Sequence, residues 1–249
     1  GQRILAMGGS AVDAAIATQL MLGLVEPQSS GIGGGAFILH WQKSGQRLTS
    51  FDGRETAPAL ADETLFTVNG KALDWRTAYV GGKSVGVPGG LKALAQAHQQ
   101  YGRLPWPVLF SDAIEAAETG FNVTPRMAKH LKLGWNAGVK TLSPAKDYFY
   151  PDGQPLTAGQ QITNPAYAKL LRAIAAEGVS AFYQGANAQA LVDTVRSATT
   201  NPGQLTLQDL ADYQAVEREV LCHPYRQFQV CGMAPPSSGG IAVLQILGM

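Results

Sequence analysis

The chain has 249 residues, 29 of them Gly and 14 Pro, with 45% hydrophobic and only 15% charged residues, a globular composition long enough to bury a sizeable core. That hydrophobic content excludes disorder, and glycine at about 12% against a usual ~7% has no three-residue period and so excludes collagen. Charged residues fall well below the usual ~25%, which points to extensive burial or to surface meant for another polypeptide. Nineteen Lys and Arg stand against 18 Asp and Glu, a net +1 with no run of one sign, so no nucleic-acid partner is expected.

In chain order, Gly1 to Leu5 enters directly into a helical pattern, with no basic-then-apolar leader before it. Ser10 then caps a helix that is apolar on nearly every face and therefore belongs inside a layered fold. Its most apolar part, Ala14 to Val25, contains Thr18 and Gln19 and stops at Glu26-Pro27, short of the ~20 residues that cross a bilayer. The Gly31 to Gly35 loop demands special backbone angles and close approach. Two strands follow, Ala36 to Trp41 and Arg47 to Asp52, joined across Lys43 to Gln46 as a hairpin that delivers Asp52-Gly53-Arg54-Glu55-Thr56-Ala57-Pro58 at its far end.

After a polar stretch, Ser84 to Gly90 reads as a short buried segment ending in a turn, and Leu91 to Tyr101 as a helix stopped by Gly102. Phe110 to Glu118 repeats that pattern up to Gly120. Helical spacing marks 166–177, 186–197 and 207–213, the last capped by Thr206 with Asp209 in the capping-box position. Arg226 to Val230 reads as a strand, and Ser237 to Gly240 opens a final apolar helix, with Ser237 and Ser238 as N-capping residues. With a turn over His223 to Arg226, Cys222 and Cys231 do not lie directly opposite each other, which argues against a disulfide.

Most apparent motifs dissolve on inspection. Gly31-Ile32-Gly33-Gly34-Gly35-Ala36 matches a dinucleotide fingerprint, but a Pro-containing loop precedes it and a strand follows, the reverse of what pyrophosphate binding needs. Gly82-Lys83-Ser84 lacks the first glycine of a P-loop, and no helix follows. His40, His98, His130 and His223 are scattered, without metal-ligand spacing, so no metal or cofactor is expected. No G-x-S-x-G elbow occurs. Arg54, between Gly53 and Glu55 just past a strand, can present a planar guanidinium to a carboxylate, or else pair with Glu55 or Asp52.

Taken together, the blocks Gly8 to Ala15, Val25 to Gly35, Asp52 to Pro58, Val87-Pro88-Gly89, Tyr101-Gly102 with Leu104-Pro105-Trp106, Gly120-Phe121, Asp209-Leu210 with Tyr213, Tyr225-Arg226 and Pro235 to Gly240 resemble the γ-glutamyltransferase family, in family order and across almost the whole chain. Ser10 stands where Asn is common and Gln28 where His is frequent. No Thr leads a segment resembling the family's small subunit: Thr199-Thr200 precedes the Pro-Pro-Ser-Ser-Gly-Gly block and is followed by Asn201-Pro202. The resemblance is therefore to the middle of the large subunit.

The family implies an α+β, four-layer αββα fold of the N-terminal-nucleophile hydrolase type, here residues 1–249 as one incomplete domain. It also implies a precursor that cleaves itself, leaving a small subunit whose leading Thr is the nucleophile, with its own α-amino group as base. The implied reaction cleaves γ-glutamyl amides such as glutathione and passes the acyl group to water or to an amino acid or peptide amine. Arg54 is then expected to bind the substrate's α-carboxylate and Glu55 to orient that Arg, with no catalytic residue in this chain and no turnover from it alone. The small subunit is its expected partner, an extracytoplasmic (periplasmic or secreted) location its expected setting, and a large exposed apolar face the expected property of the chain by itself. An acylase of the same scaffold and a non-catalytic relative are the alternatives.

Overall fold

The computed structural model describes residues 1–134 and 136–249. A short first helix, α1 (Gln2–Ala6), leads into α2 (Ala11–Val25), where the Ser10 hydroxyl accepts from the Asp13 N–H and the Asp13 carboxylate accepts from the Ser10 N–H. This reciprocal box replaces helix bonds that the first turn lacks. Val12, Ile16, Leu20 and Leu24 are buried, while Ala11, Ala15 and Thr18 face outward. The two expected strands form β1 (Ala36–Gln42) and β2 (Arg47–Gly53), in antiparallel register from Ala36 opposite Gly53 to Gln42 opposite Arg47.

Beyond Pro58 the polar stretch folds into a small hairpin, β3 (Thr67–Val68) and β4 (Lys71–Ala72). Asn69 and Gly70 both take positive φ between its strands, the geometry that favours an Asn-Gly turn. A single-turn helix, α3 (Trp75–Ala78), precedes α4 (Gly90–Tyr101). Next come α5 (Ser111–Thr119), β5 (Phe121–Asn122), and three helices that sequence reasoning did not mark: α6 (Pro125–Leu133), α7 (Ala137–Thr141) and α8 (Ala145–Phe149). Strand β6 (Gln161–Ile162) pairs with β5, enclosing a small second core of Val123, Met127 and Leu156.

Helices α9 (Pro165–Glu177), α10 (Ser180–Tyr183), α11 (Gly185–Arg196) and α12 (Leu207–Asp212) complete the helical side. The Thr206 hydroxyl accepts from Asp209 N–H as the spacing predicts. Strand β7 (Val216–Arg218) then joins the edge of β2, giving the sheet order β1-β2-β7. Helix α4 lies against the face of this sheet that carries Phe51, which is fully buried; its Tyr101 hydroxyl pairs with Thr49 at 2.7 Å, and its ring stacks on His40. Helices α2, α5 and α9 pack in succession behind it. On the opposite face Leu39 is 43% and Trp41 55% exposed, an apolar strip that alternation along β1 places there.

The C-terminal part is a ribbon, β8 (Leu221–Tyr225) and β9 (Phe228–Gly232), carrying α13 (Ser238–Leu247). It corrects two expectations. The ribbon turns at Arg226-Gln227, with Arg226 at φ 55°, so Tyr225 faces Phe228 and Cys222 faces Cys231 directly; the two cysteines form a disulfide. Pro224 belongs to the strand and not to the turn, because a two-stranded ribbon has only edge strands and tolerates a residue without an N–H. Ser237 occupies the N-cap of α13, but its side chain makes no capping hydrogen bond. The disulfide closes a loop with a sequence separation of 9, which stabilises the ribbon by about 2–3 kcal/mol. Iodoacetamide is expected to label neither cysteine of the native protein before a reductant is added; labelling without reductant would show the pair open.

Candidate active-site region

The Asp52 to Pro58 block leaves the end of β2 and crosses the N-terminus of α4. Its backbone is held at successive points. The Asp52 carboxylate accepts the Arg54 N–H at 2.8 Å, and the Tyr213 hydroxyl, just past α12, donates to the Arg54 carbonyl at 2.7 Å. Thr56 exchanges backbone hydrogen bonds with Val87, and Asp209 of α12 accepts the Ala59 N–H at 2.8 Å. Helix α12 thus braces both ends of the segment, while the Asp52 carboxylate is itself fixed by Arg218 of β7 at 2.6 Å.

Glycines make this convergence possible. A Cβ at Gly89 would overlap the Tyr213 hydroxyl and the Gly53 carbonyl, so only glycine lets that tyrosine reach Arg54. The N–H groups of Gly89 and Gly90 both point at the Gly34 carbonyl, at 3.2 and 2.9 Å. The first turn of α4 therefore receives a loop carbonyl, not a phosphate, in line with the rejection of the dinucleotide reading. Gly82–Ser84 is a single 3-10 turn, likewise no P-loop.

Within this brace the Arg54 side chain is exposed, and its guanidinium makes no hydrogen bond or ion pair among the described residues. Neither neighbouring carboxylate takes it. Asp52 is committed to Arg218, and Glu55 lies against Gly34 and Gly35, where a Cβ on Gly35 would collide with its carboxylate. No bond joins Glu55 to Arg54. The Tyr213 hydroxyl, 6% exposed as a residue, has its pKa pushed up to about 12 by burial first and then by the negative charges of Asp52 and Glu55. It stays protonated at any physiological pH and donates to Arg54.

Sequence reasoning placed Arg54 and Glu55, gave Asp209 only its capping-box position and Tyr213 only its place in the block after Thr206, and assigned nothing to Arg218. The histidines play no part here. His98 bonds the Leu104 carbonyl at 2.9 Å, and His40 stacks on Tyr101. Among the described residues no group of three His, Cys, Asp or Glu could hold a metal ion, and no helix is long and apolar enough to cross a membrane. An apolar cavity of about 470 Å³, walled by Pro27, Met127, Leu131, Val139 and Phe149, is not lined by Arg54 or Glu55.

The glutathione hydrolase proenzyme of Bacillus subtilis (strain 168) is 37% identical to this chain over 248 residues, covering 99% of the chain and 41% of the relative. Helicobacter pylori gamma-glutamyltranspeptidase superposes with a TM-score of 0.93 at 30% identity, over 99% of this chain and 69% of that one. Cephalosporin acylase from Bacillus halodurans superposes with a TM-score of 0.81 at 34% identity, over 92% of this chain and 42% of that one. The chain thus spans about two fifths of the length of the curated relatives it matches. The profile described as Gamma-glutamyltranspeptidase matches residues 1–249, from the α2 capping box through the braced Arg54 block to α13, and the chain belongs to that family.

Proposed function

We propose that residues 1–249 are one incomplete domain, a portion of the large subunit of a γ-glutamyl transferase and hydrolase, and that Arg54 receives the α-carboxylate of glutathione and other γ-glutamyl donors. The observation that carries this reading is a guanidinium left free on a backbone fixed from both sides. A planar fork with its own backbone immobilised can hold a carboxylate bidentately at little further ordering cost. Asp52, whose carboxylate accepts the Arg54 N–H, is paired with Arg218 and does not compete for the guanidinium.

In this scheme the small subunit of the same precursor completes a four-layer αββα fold and covers the strip of Leu39 and Trp41. It supplies the Thr whose hydroxyl attacks the γ-amide carbonyl, with the Thr α-amino group taking the proton. Backbone N–H groups stabilise the tetrahedral oxyanion; its collapse breaks the amide C–N bond, the leaving amine takes the proton from the α-amino group, and the γ-glutamyl group of the resulting ester passes to water or to an amino acid or peptide amine, freeing the Thr hydroxyl. Arg54 fixes the donor's far end, so the scissile amide is presented in one place. No residue of this chain carries the covalent step. An extracytoplasmic location fits the Cys222–Cys231 disulfide, since such bonds persist in oxidising compartments.

The likeness to a cephalosporin acylase supports a second reading, in which the same scaffold cleaves a dicarboxylic acyl amide. A γ-glutamyl anilide and a glutaryl anilide, whose acyl groups share the far carboxylate and differ only by the α-amino group beside it, separate the two. The complete protein is expected to turn over the first at least tenfold faster in kcat/KM, and activity on the second alone would overturn the assignment.

A further inference from the structure

We propose that Tyr213 is a positioning residue for Arg54: its hydroxyl, held by α12, sets the direction in which the guanidinium leaves the chain and so tunes recognition of the substrate carboxylate. This rests on Arg54 being the carboxylate-binding residue. The Arg54 N–H and carbonyl are both taken by side chains, Asp52 on one side and Tyr213 on the other, whereas the guanidinium makes no hydrogen bond or ion pair among the described residues. The two peptide planes that meet at the Arg54 Cα are thus each held by one bond, and the Cα–Cβ direction of Arg54 is fixed between them.

The grip is built from outside the Arg54 block. The Tyr213 ring lies parallel to that of Tyr183, 6.4 Å away, and the Tyr183 hydroxyl donates to the Pro88 carbonyl at 2.9 Å. Gly89, next to Pro88, leaves the space through which the Tyr213 hydroxyl passes. Both tyrosines are buried, so the direction of the hydroxyl is set by packing. Glu55, by contrast, has no bond to Arg54, and orientation falls to groups that hold the Arg54 backbone.

Tyr213→Phe in the complete, processed protein removes only this hydroxyl. KM for a γ-glutamyl anilide is expected to rise about five- to tenfold, the worth of one net hydrogen bond, with kcat changed less than twofold. The same substitution in an Arg54→Lys background, where the fork is already lost but a cation remains, is expected to raise KM no further. The melting temperature of each variant is read alongside, since a merely structural role would lower it and raise KM equally in both backgrounds. Equal factors in the two backgrounds, an unchanged KM in Tyr213→Phe, or a loss confined to kcat would each overturn the proposal. If Arg54→Lys itself leaves KM unchanged, the carboxylate assignment of Arg54 has failed instead, whatever Tyr213→Phe does.

Discussion

Arg54→Ala in the complete protein should lower kcat/KM for γ-glutamyl donors by about 30- to 900-fold, equivalent to roughly 2–4 kcal/mol for a lost bidentate carboxylate contact. Most of that loss should fall on KM. The α-carboxylate is remote from the bond being broken and is held alike in the ground and transition states, which is uniform binding. The fold should not notice. Among the described residues every hydrogen bond of Arg54 comes from its backbone, and alanine keeps both the N–H to Asp52 and the carbonyl that accepts from Tyr213. Steady-state kinetics together with a melting curve check this. A large fall in kcat at unchanged KM would place Arg54 at the chemistry itself, and a fall in melting temperature of more than a few degrees would make it structural. Arg54→Lys should lie between Ala and wild type, since a point charge keeps the attraction but not the fork.

The largest stability effect is expected at Asp13, which has no exposed surface. Its Oδ2 accepts from the N–H groups of Ser10, Arg103 and Leu104 at 2.8, 2.9 and 3.1 Å, tying the start of α2 to the loop that follows α4. Burial by itself would raise this carboxyl, but the bonds from those three N–H groups and the link to the Ser10 side chain outweigh it and hold the pKa below the usual carboxylate value. Asp13→Ala removes the acceptor of three backbone N–H groups and should cost about 3–5 kcal/mol, a fall in melting temperature of roughly 10 °C. A loss below about 1 kcal/mol would mean that water replaces the carboxylate.

The sign of the pH dependence follows. Because folding lowers the Asp13 pKa, its contribution is fully present above the unfolded value near 4 and disappears as pH falls through the folded value below it. Asp209 behaves alike: burial raises it, and bonds from Thr206 and from the Ala59 N–H outweigh that. Wild-type stability should therefore drop on acidification below about pH 4. The drop should be shallower in Asp13→Ala, which lacks one of these carboxylates.

Local chemistry made much of the fold readable. The Ser10 and Thr206 capping boxes, the hairpin from Ala36 to Asp52, and the helices ending at Gly102 and Gly120 all stand close to where the spacing puts them, because caps, turns and alternation act within a few residues. The helices between Pro125 and Phe149 went unmarked: α7 and α8 are only five residues each, and α6 is held by a small core of Val123, Met127 and Leu156 that joins residues distant in sequence. The disulfide went unread because ribbon register depends on which residues form the turn. One misplaced proline moves every cross-strand pair.

The sequence by itself placed Arg54 just past a strand between Gly53 and Glu55, left the nucleotide-like motifs without the strand and helix context they need, and, through the order of its blocks, pointed to the family. Only the tertiary structure decided what Arg54 is joined to. Asp52 turns to Arg218, Glu55 lies against Gly35, and Tyr213, 159 residues away along the chain, reaches the Arg54 carbonyl through the space that Gly89 leaves open. Partners of that kind leave no local trace: a hydrogen bond across such a separation is set by how the sheet, α4 and α12 pack together, and packing is a property of the whole chain.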